Sequence, residues 1–138
     1  MVVFIAARTP LPMVPWSDES PGFNVTPLSE YEEKVRVHLP LPYVYCAGSH
    51  TFCGCGFNEG REYFNPEEPA SNNLDSLDSS SKLAQFIKEH GVEQIYSCWS
   101  CDEGEPQVFE RSILAETLTD PTFVFREREL LTILQIPG

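Results

Sequence analysis

Basic residues are scarce in this sequence, and their scarcity excludes two classes of partner. The chain carries 9 lysines and arginines against 21 aspartates and glutamates, for a formal net charge of −12 at pH 7. Such a charge repels phosphates and anionic lipid head groups, so we expect no binding to nucleic acid or to membrane surfaces. The partner it would attract is a basic protein, although solubility alone is a simpler role for it.

Long apolar runs and flexible linkers are missing as well. The apolar run Val2–Ala7 is much shorter than a membrane span, no basic stretch precedes it, and prolines follow it closely. We therefore expect no leader sequence and predict a cytoplasmic protein. No low-complexity linker or internal repeat is visible, and 138 residues with 41% hydrophobic residues suffice for one core. Residues 1–138 are predicted to form a single domain.

Short runs of β-branched and aromatic residues predict the strands. The predicted strands are residues 2–7, 43–47, 92–96, 108–114, 123–125 and 130–136. The run 108–114 also fits a helix, and we favour the strand. Before the second strand, the proline-rich residues 8–27 predict an ordered loop or extended arm that Trp16 and Phe23 fix to the core.

Two helices are predicted between these strands. Ser29 and Glu32 have the spacing of a capping box, which predicts a short helix to about His38. Apolar residues at steps of three and four predict a second helix over about 80–90, and residues 58–81 predict a polar surface excursion that ends in the start of this helix. The expected fold is a single α+β domain with a mixed sheet of about five or six strands and two main helices.

The five cysteines are the chemically distinctive feature of the chain. Their number is odd and no leader is expected, so reduced thiols are predicted rather than a disulfide framework. Four of them form two doublets, Cys53-Gly54-Cys55 and Cys98-Trp99-Ser100-Cys101. Each doublet follows a predicted core strand, and we therefore expect the two to lie close together at one edge of the sheet.

A metal site is the first interpretation of these doublets. Four thiolates from Cys53, Cys55, Cys98 and Cys101 would suit a tetrahedral zinc ion, and His50 is an alternative ligand. The CxC and CxxC arrangement resembles the zinc-thiolate module of the redox-regulated heat-shock chaperone at these four positions alone. Nothing else in the chain matches that chaperone, so its activity is not expected here.

Two catalytic interpretations and a structural one stay open. Cys98 and Cys101 have the CxxC spacing of thiol–disulfide redox proteins, although Asp102, Glu103 and Glu105 follow them and neighbouring carboxylates disfavour a thiolate. A hydrolase or transferase would pair a nucleophilic cysteine with a histidine base, and the spacing selects no pair. The candidates are Cys53, Cys55 and Cys98 with His38, His50 and His90. Buried structural thiols, of which Cys46 is the clearest, would explain the cysteines without any chemistry.

The segment around the first doublet also resembles a known pattern. Residues 48–57 read GSHTFCGCGF, similar to a family of small bacterial proteins with a GSH-x-x-CGCGF motif and no known function. The resemblance implies a bacterial cytosolic domain and no mechanism. The sequence therefore predicts a small acidic domain with a thiol-lined site that suits zinc, and a binding role is favoured over an enzymatic one. The alternatives are an immunity-like interaction module with an acidic surface and a thiol–disulfide redox protein.

Overall fold

The computed structural model describes residues 1–19, 21–58 and 74–134. Within these ranges six strands form one mixed sheet in the order β2-β3-β1-β4-β6-β5. The strands are β1 (Val2–Ala7), β2 (Asn24–Pro27), β3 (Tyr43–Gly48), β4 (Gln94–Cys98), β5 (Phe109–Ile113) and β6 (Glu129–Ile133). The predicted α+β class with a mixed sheet is confirmed.

Two α-helices and two 3₁₀ helices accompany the sheet in the described ranges. They are η1 (Tyr31–Val37), α1 (Cys55–Asn58), α2 (Leu74–His90) and η2 (Ala115–Thr119), of which η1 and α2 are the two principal helices. The capping box is present, because the Ser29 N–H donates to Glu32 Oε1 at 2.9 Å and the Glu32 N–H donates to Ser29 Oγ at 3.2 Å. None of these helices is long and apolar enough to cross a membrane.

Strand β1 occupies the middle of the sheet. It pairs antiparallel with β3 on one side and with β4 on the other, with Val3 opposite Ala47 and Val2 opposite Cys98. Its residues 3–7 are all fully buried. Successive side chains of a strand point to opposite faces, so both faces of β1 must be covered. The ends of β3 and β4 consequently lie on either side of the beginning of β1.

A separate hydrophobic cluster covers each face of the sheet. Val3 and Ile5 pack in the larger cluster with Leu83 and Ile87 of α2. Phe4 packs on the other face, in a smaller cluster with Val35 of η1 and with Cys98. The register of β1 therefore decides which side chains near its beginning face α2 and which face η1.

Two predicted segments differ from the structure. Residues 123–125 form no strand, because the Asn58 side chain binds both backbone groups of Phe125, accepting from its N–H at 2.6 Å and donating to its C=O at 2.9 Å. The predicted loop 8–27 contains β2, whose Val25 also pairs with Val14. Prolines in that segment concealed the strand, which lies at the sheet edge where proline is tolerated.

The remaining differences concern element ends. Helix α2 begins at Leu74, so residues 74–81 of the predicted surface excursion are helical, whereas residues 59–73 lie outside the described residues. The last strand spans Glu129–Ile133, and positions 135–136 of the predicted strand also lie outside. The ambiguous run 108–114 contains β5, as predicted.

A buried ion pair joins the last two strands. Glu129 of β6 is fully buried, and Arg111 of β5 donates to it twice, from Nε to Oε2 at 2.8 Å and from a terminal guanidinium nitrogen to Oε1 at 2.7 Å. The bidentate geometry satisfies both carboxylate oxygens. Without its partner, Glu129 would be a desolvated charge beside the sheet.

The substitution Arg111→Met should therefore destabilise the fold. We expect a loss of about 2 to 3 kcal/mol in the free energy of unfolding, less than for a fully buried pair, because 33% of the Arg111 side chain is exposed. The double variant R111M/E129M should recover much of this loss. The control is Arg8→Met, because Arg8 pairs with Glu93 but its side chain is 74% exposed; a change of about 0.5 kcal/mol or less is expected there. Urea unfolding measures all three variants.

Candidate functional site

The first cysteine doublet lies in the turn that joins β3 to α1. The Ser49 N–H and the Ser49 hydroxyl both donate to the carbonyl of Cys53, at 2.9 and 2.7 Å. The Phe52 N–H donates back to the Ser49 carbonyl at 3.0 Å. Ser49 is fully buried, so these bonds fix the turn from its inner side. The GSH run before the doublet thus holds the backbone of Cys53 in place.

Glycines allow this turn to lie directly on its neighbours. A Cβ atom at Gly54 would be 2.8 Å from a methyl carbon of Val3 and 3.0 Å from the carbonyl oxygen of Met1. At Gly56 it would be 2.2 Å from Ser49 Oγ. Contacts at 2.8 and 2.2 Å are too short for a real side chain, so close packing against β1 and Ser49 requires glycine at both positions.

Each thiol of this doublet has hydrogen-bonding groups within reach. The Cys55 N–H donates to Cys53 Sγ at 3.4 Å, and the Thr51 hydroxyl lies 3.6 Å from the same sulfur. The amino group of Met1 lies 3.2 Å from Cys55 Sγ. Cys55 is exposed and Cys53 is half-buried, so both sulfurs can meet a partner from solvent.

These groups change the acidity of Cys53. Partial burial raises its pKa, but hydrogen bonds from the Cys55 side chain, the Thr51 hydroxyl and the Cys55 N–H, with the charge of the Met1 amino group, outweigh burial and lower the pKa overall. A lowered pKa increases the thiolate fraction near neutral pH. Cys53 is thus the cysteine whose surroundings favour the nucleophilic form.

The second doublet has a different environment. Cys98 is fully buried at the end of β4, and burial, reinforced by Glu103 and Asp102, raises its pKa to about 12. Cys101 is exposed and has a positive φ of 84°. Its N–H donates to Oε1 of the buried Glu103 at 3.2 Å, and its carbonyl accepts a bond from the Tyr31 hydroxyl at 3.4 Å. One thiol of this doublet is therefore inert while the other lies in an acidic turn.

Both doublets lie at the end of the sheet where β1 begins, as predicted, but their thiols occupy different surroundings there. Cys98 points into the cluster under η1, whereas Cys55 begins α1, whose Phe57 packs in the cluster under α2. All five cysteines and all three histidines lie in the described residues. In that part of the chain no three Cys, His, Asp or Glu side chains converge closely enough to hold a metal ion. The four predicted sulfur ligands do not form a tetrahedral set.

The three histidines lie in three unrelated places. His50 Nδ1 is 3.1 Å from the hydroxyl of the buried Ser79 of α2, and the His50 N–H donates to the same oxygen at 3.0 Å. His38 stacks on Tyr96 with ring centroids 4.1 Å apart, and burial lowers the pKa of His38. His90 contacts the ring of Phe86 at the end of α2. His50 is the histidine nearest in sequence to the CxC turn, and its backbone and ring are tied to α2.

Sequence reasoning missed several residues of this site. Thr51 and Ser49 contact or position Cys53, and the sequence signal for Ser49 was its place in the GSH part of the GSH-x-x-CGCGF pattern. Phe52 has a positive φ of 77°, which no pattern predicted. Cys46 was expected to be a structural thiol, and burial together with Glu32 raises its pKa to about 12.

Substitution of Gly54 tests the packing of the turn. Gly54→Ala should lower the free energy of unfolding by about 1 to 3 kcal/mol, because its Cβ would collide with Val3 and the Met1 carbonyl. Gly104→Ala is the matched control, since a Cβ there would be 3.7 Å from Lys34, an ordinary contact. Equal stability of G54A and G104A in urea would contradict the proposed packing.

The buried thiols predict a loss of stability in alkali. Burial raises the pKa of Cys46 and Cys98 from 9.0 to about 12 in the folded protein. Between these values the unfolded chain releases protons that the folded chain retains, so the free energy of unfolding should fall as pH rises from 9 to 12. Cys98→Ala should reduce this slope, whatever it costs at neutral pH. Urea unfolding in reductant at a series of pH values measures the slope.

Comparisons with known proteins give no family for this chain. No protein-family model, no curated protein and no solved structure matches it. The resemblance to the GSH-x-x-CGCGF pattern therefore stays a prediction. Function has to be derived from the chemistry of the thiols and their surroundings.

Proposed function

We propose that the protein is a thiol–disulfide exchange protein whose reactive group is the Cys53–Cys55 pair. The observation that carries the proposal is the geometry of the pair. The Cys55 N–H donates to Cys53 Sγ at 3.4 Å, while Cys53 is half-buried and Cys55 is exposed, so both can be reached from solvent. The hydrogen bonds that lower the pKa of Cys53 support its role as the attacking thiolate. Cys55, exposed and two residues away, is the resolving thiol.

The reaction has two balanced steps. The Cys53 thiolate attacks one sulfur of a substrate disulfide, which forms a mixed disulfide and releases the other substrate sulfur as a thiolate. The Cys55 thiolate, after losing its proton to solvent, then attacks the sulfur of Cys53. This step forms a Cys53–Cys55 disulfide and releases the second substrate thiolate. The substrate disulfide gains two electrons, and the two cysteines lose them.

The CxxC doublet is less suited to this reaction than its spacing implied. Cys98 is fully buried, and its pKa of about 12 leaves almost no thiolate near neutral pH. Cys101 is exposed but follows the strand end in an acidic turn. We therefore assign the redox function to Cys53 and Cys55 instead of Cys98 and Cys101. A reducing compartment such as the cytoplasm would regenerate the dithiol.

An acidic interaction surface is the second candidate function. Ion pairs with acids neutralise several of the described bases, namely Arg8 with Glu93, Arg36 with Glu33, Lys82 with Asp78, Lys88 with Glu116 and Arg111 with Glu129. The acidic excess then faces solvent largely unopposed, which supports attraction of a basic protein. Such a partner should be captured in a salt-sensitive way by wild-type protein and by a C53S/C55S variant alike.

Cysteine substitutions test the proposed dithiol. Reduced protein mixed with 2-hydroxyethyl disulfide should lose two free thiols to an intramolecular disulfide, seen as a loss of two hydrogens by mass spectrometry. Cys55→Ser should stop at a mixed disulfide on Cys53, and Cys53→Ser should slow the first step at least tenfold because it removes the thiolate that hydrogen bonding favours. Cys101→Ser is the control and should react like wild type.

Two results would contradict the proposal. Cys53 should react faster than Cys101 with a limiting alkylating agent at neutral pH, and equal rates for these two thiols would contradict the role of Cys53 as the nucleophile. Elemental analysis of protein purified without added metal tests the zinc prediction in parallel. One equivalent of zinc that is lost in both C53S and C98S would replace the exchange function with a metal-thiolate one.

A further inference from the structure

Phe52 is unfavourable in two independent ways at its position. Its ring is 56% exposed to solvent, which forgoes the benefit of burying an aromatic side chain. Its backbone has a φ of 77°, in the left-handed region where a side chain is strained and glycine is preferred. The turn bonds between residues 49 and 53 impose that conformation. A glycine would suit this position better if the fold alone mattered.

A second aromatic residue extends the Phe52 ring into a larger surface. Trp16, from the proline-rich arm that precedes β2, meets Phe52 edge to face with ring centroids 5.3 Å apart and an interplanar angle of 73°. The arm is anchored near this point by the Val14–Val25 bridge. The contact spans 36 positions of the sequence, so it is tertiary and not a local consequence of the turn. Phe52 is thus held in place by tertiary structure and still presents its ring to solvent.

The place of Phe52 directly before the proposed nucleophile Cys53 indicates a function for its exposed ring. Phe52 is bonded directly to Cys53, and non-glycine residues that the structure holds in a strained left-handed backbone conformation cluster at functional sites. A small disulfide such as 2-hydroxyethyl disulfide offers nothing for an aromatic surface to bind. A cystine within a polypeptide offers neighbouring side chains that can stack on it.

We propose that Phe52, supported by Trp16, is a substrate-binding residue that selects polypeptide disulfides in which an aromatic or large apolar residue neighbours the cysteine. This inference rests on the exchange function proposed for Cys53 and Cys55. Phe52 binds the side chain beside the substrate cysteine and brings the substrate sulfur to Cys53. It takes no part in the electron transfer itself.

The experiment compares two peptides that differ only beside the cysteine. Each is an uncharged heptapeptide whose cysteine is joined by a disulfide to 2-nitro-5-thiobenzoate, with phenylalanine next to the cysteine in one and glycine in the other. Attack of Cys53 on the peptide sulfur releases the coloured thiolate, whose absorbance gives the rate. Wild-type protein should react at least tenfold faster with the phenylalanine peptide. Phe52→Ala should abolish this preference, so that its rates with the two peptides agree within twofold.

Two further variants keep the test independent of folding. Phe52→Gly relieves the left-handed strain, so it should be no less stable in urea than Phe52→Ala and should lose the preference equally. Phe109→Ala is the matched control, because Phe109 is 39% exposed on β5, four strands from β3 and about 19 Å away across the sheet. It should keep the full preference.

The outcomes separate this inference from the function on which it rests. Equal rates with the two peptides in wild type, with normal reaction of 2-hydroxyethyl disulfide, would overturn the role of Phe52 and leave the dithiol intact. A preference that survives in both F52A and F52G would overturn it as well. Failure of wild-type protein to react with either peptide and with the small disulfide would overturn the exchange function itself.

Discussion

The double pairing of β1 is the constraint on which the rest of the molecule depends. Because β1 is antiparallel to both neighbours, the ends of β3 and β4 meet at its beginning, and whatever follows those strands is brought to one end of the sheet. Gly54 then lies against Val3 and the Met1 carbonyl, which places the CxC turn on the first residues of β1. Side chains alternate between the two faces of the sheet. Phe4 and Cys98 therefore lie on the face covered by η1, whereas Val3 lies on the face covered by α2.

Much of this arrangement could be predicted from the sequence, and the failures have physical causes. The apolar runs that became β1, β3, β4 and β6 are strong local signals, as are the capping box at Ser29 and the helical spacing from Leu83 to His90. Strand β2 was concealed by prolines, which a sheet edge tolerates. Residues 123–125 resemble a strand in sequence because Phe123 and Phe125 are apolar and buried, but the Asn58 side chain, rather than a neighbouring strand, bonds the backbone of Phe125. The place of the doublets at one end of the sheet was predicted because each follows a core strand, although the two strands are not adjacent and β1 lies between them. Their separation onto different faces depends on register, which local patterns do not specify.

The five thiols show how one residue type acquires opposite properties within a small domain. Burial is the largest cause that raises the pKa of Cys46 and Cys98, and nearby carboxylates reinforce it. At Cys53 burial also raises the pKa, but the hydrogen bonds from Cys55 and Thr51 outweigh it and stabilise the anion. The CxxC spacing was the stronger redox signal in the sequence, yet spacing alone carries no information on donors. The lowered pKa of Cys53 comes from the hydrogen bonds of the turn that Ser49 closes.

The sheet order also determines when the fold can be completed. Strand β6 is the last described strand in the chain but lies between β4 and β5 in the sheet, so during synthesis β5 has no partner and β4 has an open side until β6 leaves the ribosome. The central pairing of Val2 with Cys98 likewise joins residues far apart in sequence. Such non-local pairing slows folding and leaves strand edges exposed to other chains in the interval. During that interval Cys98, which the finished sheet buries, is open to the oxidation from which the completed fold protects it.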